Sequence, residues 1–217
     1  MPNPKTATAP LLSDLGLTGD RPLVMVDVDE VLGFFMQGFG AFLESRGYEF
    51  RVERFALFQN IWRPGAPEHL PLTEGRLLFD DFFATGCGEM EPVPGAAEAL
   101  ARLSRSAEVL ILTNAPEPAR ALRAAWLARH GLPTALVLNT GPKGPVGAAL
   151  AAQTPHPTAF VDDLIPNLDS VFDCSPMTAT FQHVADETLR PLAPRSDRHP
   201  RIDDWPTLAE AIERALR

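Results

Sequence analysis

The sequence predicts an α/β fold in which helices cover both faces of a parallel sheet. Short aliphatic runs, each typical of a strand that is buried on both faces, alternate with longer amphipathic stretches. Strand–helix–strand alternation implies parallel strands, because each helical crossover carries the chain back to the edge where the previous strand began. The chain has 217 residues, of which 45% are hydrophobic, which is enough for one sizeable core or for a core with a small appended module.

Four aliphatic runs are predicted to form the sheet, and a fifth run is a weaker candidate. They are "LVMVD" (23–27), "EVLILT" (108–113), "ALVLN" (135–139), "TAFVD" (158–162) and, as the weaker one, "TATFQ" (178–182). Helices are expected at 94–106, 117–131 and 205–217, where apolar positions recur at helical spacing. In the second of these helices, Ala, Leu and Trp share one face and Arg occupies the other. Residues 1 to about 20 are rich in Pro, Thr and Ala, and we expect them to be loosely attached.

An aromatic-rich insertion separates the first predicted strand from the second. It spans residues 34–91 and contains two helical patterns, "FMQGFGAFLESRG" and "EGRLLFDDFFATG". We therefore expect a small helical module at 34–91 beside the end of the first strand. Residues 1–33 and 92–217 would then form the two parts of the core.

Charge and composition exclude several classes of partner. The net charge of −9 argues against a nucleic-acid polymer, because such binding relies on clustered Lys and Arg. No segment resembles a signal peptide or a transmembrane span, so we expect no membrane partner and a cytoplasmic location. Cys87 and Cys174 lie far apart, as reduced thiols of an intracellular protein do. The Arg-rich loop at 190–201 is expected to be a solvated surface loop, with an anion contact as the alternative.

Two aspartates lie at the end of the first predicted strand. Asp27 and Asp29 are two residues apart, so on an extended chain both carboxylates face the same side. Like charges this close repel unless a cation binds or one carboxyl keeps a proton. Both conditions suit phosphoryl transfer, in which one carboxylate is the nucleophile and the other delivers a proton. The alternative is a pair of turn or helix-capping aspartates.

Three further polar groups follow the other predicted strands. Thr113 and Asn114 precede a helix start, where a hydroxyl and free N–H groups can bind phosphate; an ordinary helix cap is the alternative. Lys143 lies among glycines and prolines and could be a fixed charge for a phosphate or a plain loop lysine. Asp162 and Asp163 offer the oxygen ligands that Mg²⁺ prefers, or act as caps. Each signal is weak alone, but their joint order along one chain is specific.

The series "VMVDVDEVL", "LILTN", "PKG" and "AFVDD" resembles the four motifs of the haloacid dehalogenase-like hydrolase superfamily. The resemblance covers the chain from about residue 22 to the C-terminus and fills all four motifs. It implies a Rossmann-like parallel sheet with a helical cap inserted after the first strand. It also implies an Mg²⁺-dependent phosphatase that hydrolyses small phosphomonoesters through an aspartyl-phosphate intermediate.

The resemblance assigns roles to the motif residues. Asp27 would be the nucleophile and a Mg²⁺ ligand, and Asp29 would be the general acid/base and bind the metal through its backbone carbonyl. Thr113 and the backbone of Asn114 would hold the phosphate. Lys143 would stabilise the transferring group. The remaining metal ligands would be Asp163, directly, and Asp162 close by.

Two features refine the resemblance. Glu30 is a departure, because many relatives carry Gly at this position, and its bulk bears on the geometry of the local loop. The presence of Asp29 weighs against dehalogenation, because the dehalogenases that name the family lack this acid.

The start of the insertion most resembles the 5'(3')-deoxyribonucleotidase group. This resemblance implies a nucleoside monophosphate as substrate, with Phe35 and Trp62 on the two faces of the base; packing within the insertion is the alternative role for these rings. Sugar phosphates and other small phosphomonoesters remain open as substrates. The alternative functions are a phosphotransferase or mutase on the same core, or a non-catalytic phosphate-binding domain. We expect a monomer or homodimer.

Overall fold

The computed structural model describes residues 9–217, and its centre is a five-stranded parallel sheet in the order β5-β4-β1-β6-β7. The sheet strands are β1 (Leu23–Val26), β4 (Glu108–Thr113), β5 (Leu136–Leu138), β6 (Thr158–Asp162) and β7 (Thr178–Gln182). A separate antiparallel pair consists of β2 (Glu49–Phe50) and β3 (Ile61–Trp62). All five predicted strands are confirmed, including the weaker fifth.

Seven α-helices are described in residues 9–217. They are α1 (Phe35–Ser45), α2 (Leu72–Thr85), α3 (Ala96–Leu103), α4 (Arg120–Arg129), α5 (Gly144–Ala151), α6 (Ile165–Cys174) and α7 (Trp205–Ala215). The five helices predicted above are present as α1, α2, α3, α4 and α7, and α5 and α6 are additional to them. None of these helices has both the length and the apolar character needed to cross a membrane.

The two faces of β1 belong to two different hydrophobic clusters. Val24 and Val26 lie in the cluster that also contains apolar residues of α3, α4 and α7, while Leu23 and Met25 lie in the cluster with α5 and α6. All four side chains are fully buried. A strand covered on both faces must be apolar at every position, which explains its uninterrupted aliphatic sequence. The predicted α/β architecture is therefore confirmed.

The segment that precedes β1 packs on the core from residue 9 onward. Leu12 is 3% exposed and belongs to the same cluster as Leu23, and a 3-10 helix spans Leu12–Leu15. The carboxylate of Glu108 accepts hydrogen bonds from the backbone N–H groups of Thr18 (2.6 Å) and Gly19 (2.9 Å). The prediction of a loosely attached segment is therefore wrong for residues 9–20, and residues 1–8 lie outside the described part of the chain.

Residues 34–91, here called the insertion, contribute no strand to the central sheet. They contain α1, α2 and the β2–β3 hairpin, whose two-residue strands were too short to be predicted. Phenylalanine rings from α1 and α2 meet edge-on or stacked, for example Phe39 and Phe82 with ring centres 5.3 Å apart. Aromatic pairs of this kind prefer edge-to-face or offset geometry. These rings belong to the same hydrophobic cluster as Val24 and Val26 of β1, so the insertion packs continuously on one face of the sheet.

The two chain segments that join the insertion to the core run next to each other. Phe34 N–H donates to the Glu91 carbonyl (3.0 Å), and Val93 N–H donates to the Leu32 carbonyl (2.8 Å). Two tryptophan side chains fix these segments: Trp205 Nε1 donates to the carbonyl of Val31 (3.0 Å). Trp126 Nε1 in the same way donates to the Met90 carbonyl (2.7 Å). The segments are therefore bonded both to each other and to the core helices.

The Arg-rich loop is more than a solvated surface segment. Arg190 donates to the backbone carbonyls of Val184 and Ala185, each at 3.0 Å. The side chain of Arg201 is 3% exposed and pairs with Asp203 at 2.9 Å. The expectation of a solvated loop is wrong for these two arginines, because their guanidinium groups bind carbonyl and carboxylate groups of the chain.

Candidate active site

The predicted motif residues meet at the carboxyl edge of the sheet, between β1 and β6. These strands are neighbours, but the chain leaves them toward opposite edges of the sheet. The next strand of the sheet after β1 is β4, on one side, and the next after β6 is β7, on the other. Such a switch point leaves a crevice outside the strand ends, where ligands bind in open α/β sheets. Asp27 follows β1 directly and its N–H donates to the Val161 carbonyl (3.0 Å), so the sheet ladder itself fixes its position.

Lys143 lies between two carboxylates at this edge. Its Nζ is 2.6 Å from Asp162 Oδ2 and 2.8 Å from Asp27 Oδ1, and the lysine side chain is fully buried. The contact with Asp162 is a hydrogen bond, while the contact with Asp27 is an ion pair without hydrogen-bond geometry. Burial alone would disfavour the charged amine, but the two carboxylates outweigh it and raise the pKa of Lys143. The lysine therefore stays a fixed positive charge.

Asp162 anchors this lysine. Its Oδ1 accepts from Leu164 N–H (2.9 Å) and from the side-chain amide of Asn167 (3.0 Å), while Oδ2 accepts from Lys143. Burial raises the pKa of Asp162 to about 6 even though Lys143 opposes the shift. Both oxygens of this carboxylate are thus occupied by protein donors, which suits a supporting role better than direct metal coordination.

Asp163 is the acid of the cluster for which no ion pair is seen among the described residues. One ligand atom from each of Asp27, Asp162 and Asp163 lies within 4.8 Å of the others, a spacing that can hold a metal ion. Burial and the neighbouring carboxylates of Asp162, Asp27 and Glu30 raise the pKa of Asp163 well above its ordinary value. A divalent cation would remove this repulsion, and Mg²⁺ prefers such oxygen ligands. The residues present therefore fit the predicted Mg²⁺, with Asp27 and Asp163 as its side-chain ligands.

Thr113 and Asn114 occupy the end of β4. The Thr113 hydroxyl is buried and has no hydrogen-bond partner in the described part of the chain, an arrangement that costs free energy unless a ligand satisfies it. The Asn114 side chain is held from both sides, because its amide donates to the Gly141 carbonyl (3.0 Å) and its oxygen accepts from Asn139 (2.7 Å). Asn139 was not predicted to be part of the site.

Asp29 is paired with an arginine that the sequence analysis did not single out. Arg123 Nη2 donates to Asp29 Oδ1 (2.8 Å), and the arginine side chain is fully buried. It lies on α4, on the face where Arg was expected opposite the apolar residues, so its burial corrects that pattern for this position. Burial raises the pKa of Asp29, although Arg123 opposes this shift. No local sequence signal distinguishes Arg123 from the exposed Arg120 on the same helix.

Glu30 adopts a left-handed backbone conformation with φ of 60° and is the one non-glycine residue in the described chain with positive φ. This region is strained for residues with a side chain, which explains why glycine is common at this position in the relatives that the motif resembles. The Glu30 carboxyl compensates, because Oε1 accepts from Met36 N–H at the start of α1 (2.7 Å). Burial raises the pKa of Glu30 to about 8.

A cavity of about 330 Å³ lies between the sheet edge and the insertion. Its polar side, here called the floor, and its apolar side, here called the roof, come from different parts of the chain. The floor consists of Asp27, Asp29, Glu30, Asn114, Lys143, Asp163 and Asn167. The roof consists of Phe35, Met36, Phe55, Ala56, Leu57 and Phe79, all from the insertion, and Leu164 and Leu189 complete the lining.

Of the two aromatic residues predicted to flank a base, only Phe35 lines this cavity. Its ring stacks on Phe39 with centres 5.6 Å apart, so one of its faces is already covered. Trp62 lies in the β2–β3 hairpin, where the guanidinium of Arg51 covers its ring at 4.9 Å. Trp62 is not among the described residues that line the cavity. The structure therefore does not bring the two rings together around a planar group, because the hairpin holds Trp62 elsewhere.

The fold is similar to that of several solved structures. A magnesium-bound structure of YfnB from Bacillus subtilis, provisionally described as a HAD-hydrolase, is 11% identical, with a TM-score of 0.61 over 89% of this chain and 99% of that one. A protein from Lactobacillus delbrueckii subsp. bulgaricus, provisionally described as a phosphoglycolate phosphatase, is 14% identical, with a TM-score of 0.60 over 88% and 98%. A third, from Bacteroides vulgatus and provisionally described as a beta-phosphoglucomutase, is 16% identical, with a TM-score of 0.52 over 95% of each chain.

No family model matches the chain, and no curated protein matches it. At these identities a structural likeness establishes architecture, while activity rests on the residues of the site. The sheet order and the position of the motif residues at its carboxyl edge agree with the motif resemblance. The chain therefore has the fold of the haloacid dehalogenase-like hydrolases.

Proposed function

We propose that this protein is an Mg²⁺-dependent phosphatase that hydrolyses small phosphomonoesters through an aspartyl-phosphate at Asp27. The observation that carries the proposal is the cluster of Asp27, Lys143 and Asp163 at the strand ends, with Lys143 Nζ 2.8 Å from Asp27. Motif order and tertiary position support the same chemistry. Three structural neighbours described as hydrolase, phosphatase and mutase share the fold that carries this cluster.

In the first step, an Asp27 carboxylate oxygen attacks phosphorus and the bond to the leaving oxygen breaks. The charge of Lys143 and the Thr113 hydroxyl bind the phosphoryl oxygens, and Asp29 transfers its proton to the leaving oxygen. The raised pKa of Asp29 favours the protonated form that this step requires. Mg²⁺, when bound by Asp27 and Asp163, neutralises charge on the phosphoryl group.

In the second step, water attacks the aspartyl-phosphate and Asp29 accepts its proton, so that Asp27 and inorganic phosphate are released. Arg123 orients Asp29 for both proton transfers through the 2.8 Å hydrogen bond that Nη2 donates to Asp29 Oδ1. Asp162 and Asn167 keep Lys143 in place. The insertion, residues 34–91, acts as the cap that excludes bulk water from this exchange.

The proposal is tested by phosphate release from p-nitrophenyl phosphate and acetyl phosphate, with Mg²⁺ and with a chelator. Asp27→Asn removes the nucleophile, and we expect kcat to fall by at least about 10³-fold. Asp20→Asn is the matched control, because Asp20 is exposed and is not among the described residues that line the cavity. Retention of most activity in Asp27→Asn, or full activity with chelator, would exclude this mechanism.

A phosphotransferase is the second candidate, supported by the neighbour described as a beta-phosphoglucomutase. The same residues serve both reactions, because an acceptor hydroxyl simply takes the place of water in the second step. Adding glycerol or glucose to the assay separates them: a hydrolase yields inorganic phosphate, whereas a transferase yields the phosphorylated acceptor at the expense of phosphate.

A further inference from the structure

Every described residue that the insertion contributes to the cavity lining is apolar. The roof consists of three phenylalanines, a methionine, a leucine and an alanine, all contributed by the insertion. The rings pack against one another: the ring centres of Phe35 and Phe79 are 6.3 Å apart, and those of Phe79 and Phe83 are 4.6 Å apart. A substrate group that reaches beyond the phosphate site therefore meets carbon atoms of a packed aromatic cluster.

The floor does not supply the missing polar contacts. The Asn114 side chain is used by Gly141 and Asn139, and the Asn167 amide donates to Asp162. Lys143 is the one cationic side chain among the described residues that line the cavity, and two carboxylates already hold it. A second anionic group would find no unpaired donor side chain among the described residues of this lining. Hydroxyls of a substrate would have only carboxylates as partners, and these are already engaged: the two oxygens of Glu30 accept from Met36 N–H and Asp186 N–H, and the other acids belong to the phosphate and metal site.

This distribution selects among substrates. Hydroxyls that leave water without gaining hydrogen bonds cost free energy, and a second carboxylate would face the acids of the floor with no unpaired cationic side chain among the described lining residues. An apolar group, by contrast, gains from leaving water against the roof. The cavity volume of about 330 Å³ is at the low end for small-molecule sites, which run from about 300 to 1,000 Å³.

We propose that the substrate is a phosphate monoester of an uncharged, apolar alcohol or phenol with a group about the size of one ring. This inference rests on the proposed phosphatase activity and adds the class of the leaving group. The phosphate binds at the floor, and the apolar group packs against Phe35, Leu57 and Phe79.

The test compares two esters that share a six-membered ring and differ in its polar groups. Cyclohexylmethyl phosphate and glucose 6-phosphate both attach the phosphate through a CH₂ group on the ring, but glucose adds four hydroxyls and a ring oxygen. We expect kcat/KM to be at least about tenfold higher for cyclohexylmethyl phosphate. Thymidine 5'-monophosphate and phosphoglycolate are the nucleotide and charged comparisons, and both are expected to be poorer than cyclohexylmethyl phosphate.

A pair of variants locates the preference in the roof. Leu57→Gln places an amide in the cavity lining and is expected to lower the ratio of the two kcat/KM values at least about fivefold. Leu77→Gln is the matched control, because Leu77 lies in the same insertion but is 69% exposed; we expect its ratio to be that of the wild type. Melting temperatures of both variants show whether the insertion stays folded.

The outcomes are distinguishable. Equal turnover of the two ring esters by the wild-type protein, or a preference for the sugar, nucleotide or charged ester, would overturn this inference and leave the phosphatase proposal intact. Absence of Mg²⁺-dependent phosphate release from every ester and from acetyl phosphate would overturn both this inference and the phosphatase proposal. The wild-type comparison does not depend on the folding of any variant.

Discussion

The floor and the roof of the cavity are built by different physical means. Charged groups of the floor are placed by specific polar contacts at or near strand ends, as when Asp27 continues the ladder of β1 and Lys143 is held by Asp162. The roof is held by non-directional packing of its rings, as when Phe35 packs against Phe79 and against Phe82 behind the cavity lining. The floor therefore fixes the positions of its charged atoms within narrow limits, whereas the roof offers an apolar surface that favours apolar ligand groups.

The two regions also differ in how well their interactions are satisfied. Burial and neighbouring acids raise the pKa values of Asp29, Glu30 and Asp163 in the floor. These shifts mean that the folded chain holds carboxylates together against their repulsion, as is common at functional sites. The rings of the roof are in contact at ordinary distances and carry no such conflict. The floor therefore contains electrostatic repulsion that lowers the stability of the folded chain, and the roof does not.

The largest expected effect breaks the anchor of the floor. Asp162→Ala leaves the buried Lys143 with one carboxylate instead of two and removes the acceptor for Asn167. We expect the free energy of unfolding to fall by about 3–5 kcal/mol, measured by urea denaturation with chelator present. Asp173→Ala, at an exposed acid, is the control and should change it by less than about 0.5 kcal/mol. A loss below about 1 kcal/mol for Asp162→Ala would show that Lys143 does not depend on this partner.

The second effect tests the packing of the phenylalanine rings that support the roof. Phe82 is 1% exposed and contacts the rings of Phe35 and Phe39, so Phe82→Ala should lower the free energy of unfolding by about 3–4 kcal/mol. Because no charge is involved, the loss should be the same with Mg²⁺ and with chelator. Leu77→Ala, at an exposed position of the same helix, is the control. A loss that changes with Mg²⁺ would mean that roof and floor are coupled.

The third effect concerns the metal. Mg²⁺ at a free concentration a hundredfold above its Kd should stabilise the wild-type protein by about 2.7 kcal/mol. Asp163→Asn should lose most of this stabilisation and, in chelator, should melt above the wild type, because one repelling carboxylate is gone from the cluster. Differential scanning calorimetry with and without Mg²⁺ measures both. Equal Mg²⁺ stabilisation of variant and wild type would place the ion elsewhere.

The smallest effect is a pH dependence from Glu30. Its pKa is raised from 4.5 to about 8, so between these pH values the folded chain keeps a proton that the unfolded chain has lost. Stability from this group is therefore complete below pH 4.5 and is lost as pH rises toward 8, by at most about 1.4 kcal/mol for each pH unit. Unfolding measured with chelator from pH 5 to 7 should show wild type losing roughly 2 kcal/mol more than Glu30→Gln. Parallel curves for the two proteins would mean that Glu30 is ionised throughout this range.

Much of the fold could be predicted because buried parallel strands leave a strong sequence pattern. "EVLILT" and "TAFVD" correspond in full to β4 and β6. Both faces of these strands are covered, so most positions are apolar and polar ones such as Glu108 and Asp162 are hydrogen-bonded. The β2–β3 hairpin was missed because two residues in each strand show no periodicity. Residues 9–20 were misjudged because a few buried groups, such as Leu12, outweigh a composition typical of loose chain.

For the candidate site, the sequence by itself determined the residues of the four motifs, because each of them lies at the end of a recognisable strand or in the segment just after it. Only the tertiary structure decided their partners: Arg123 with Asp29, Asn167 with Asp162, and Asn139 with Asn114. Tertiary structure likewise placed Phe35 at the cavity and Trp62 outside it. The reason is physical: a strand end is marked by local polarity, whereas a pairing depends on which distant helices and loops the folded core brings within hydrogen-bonding distance.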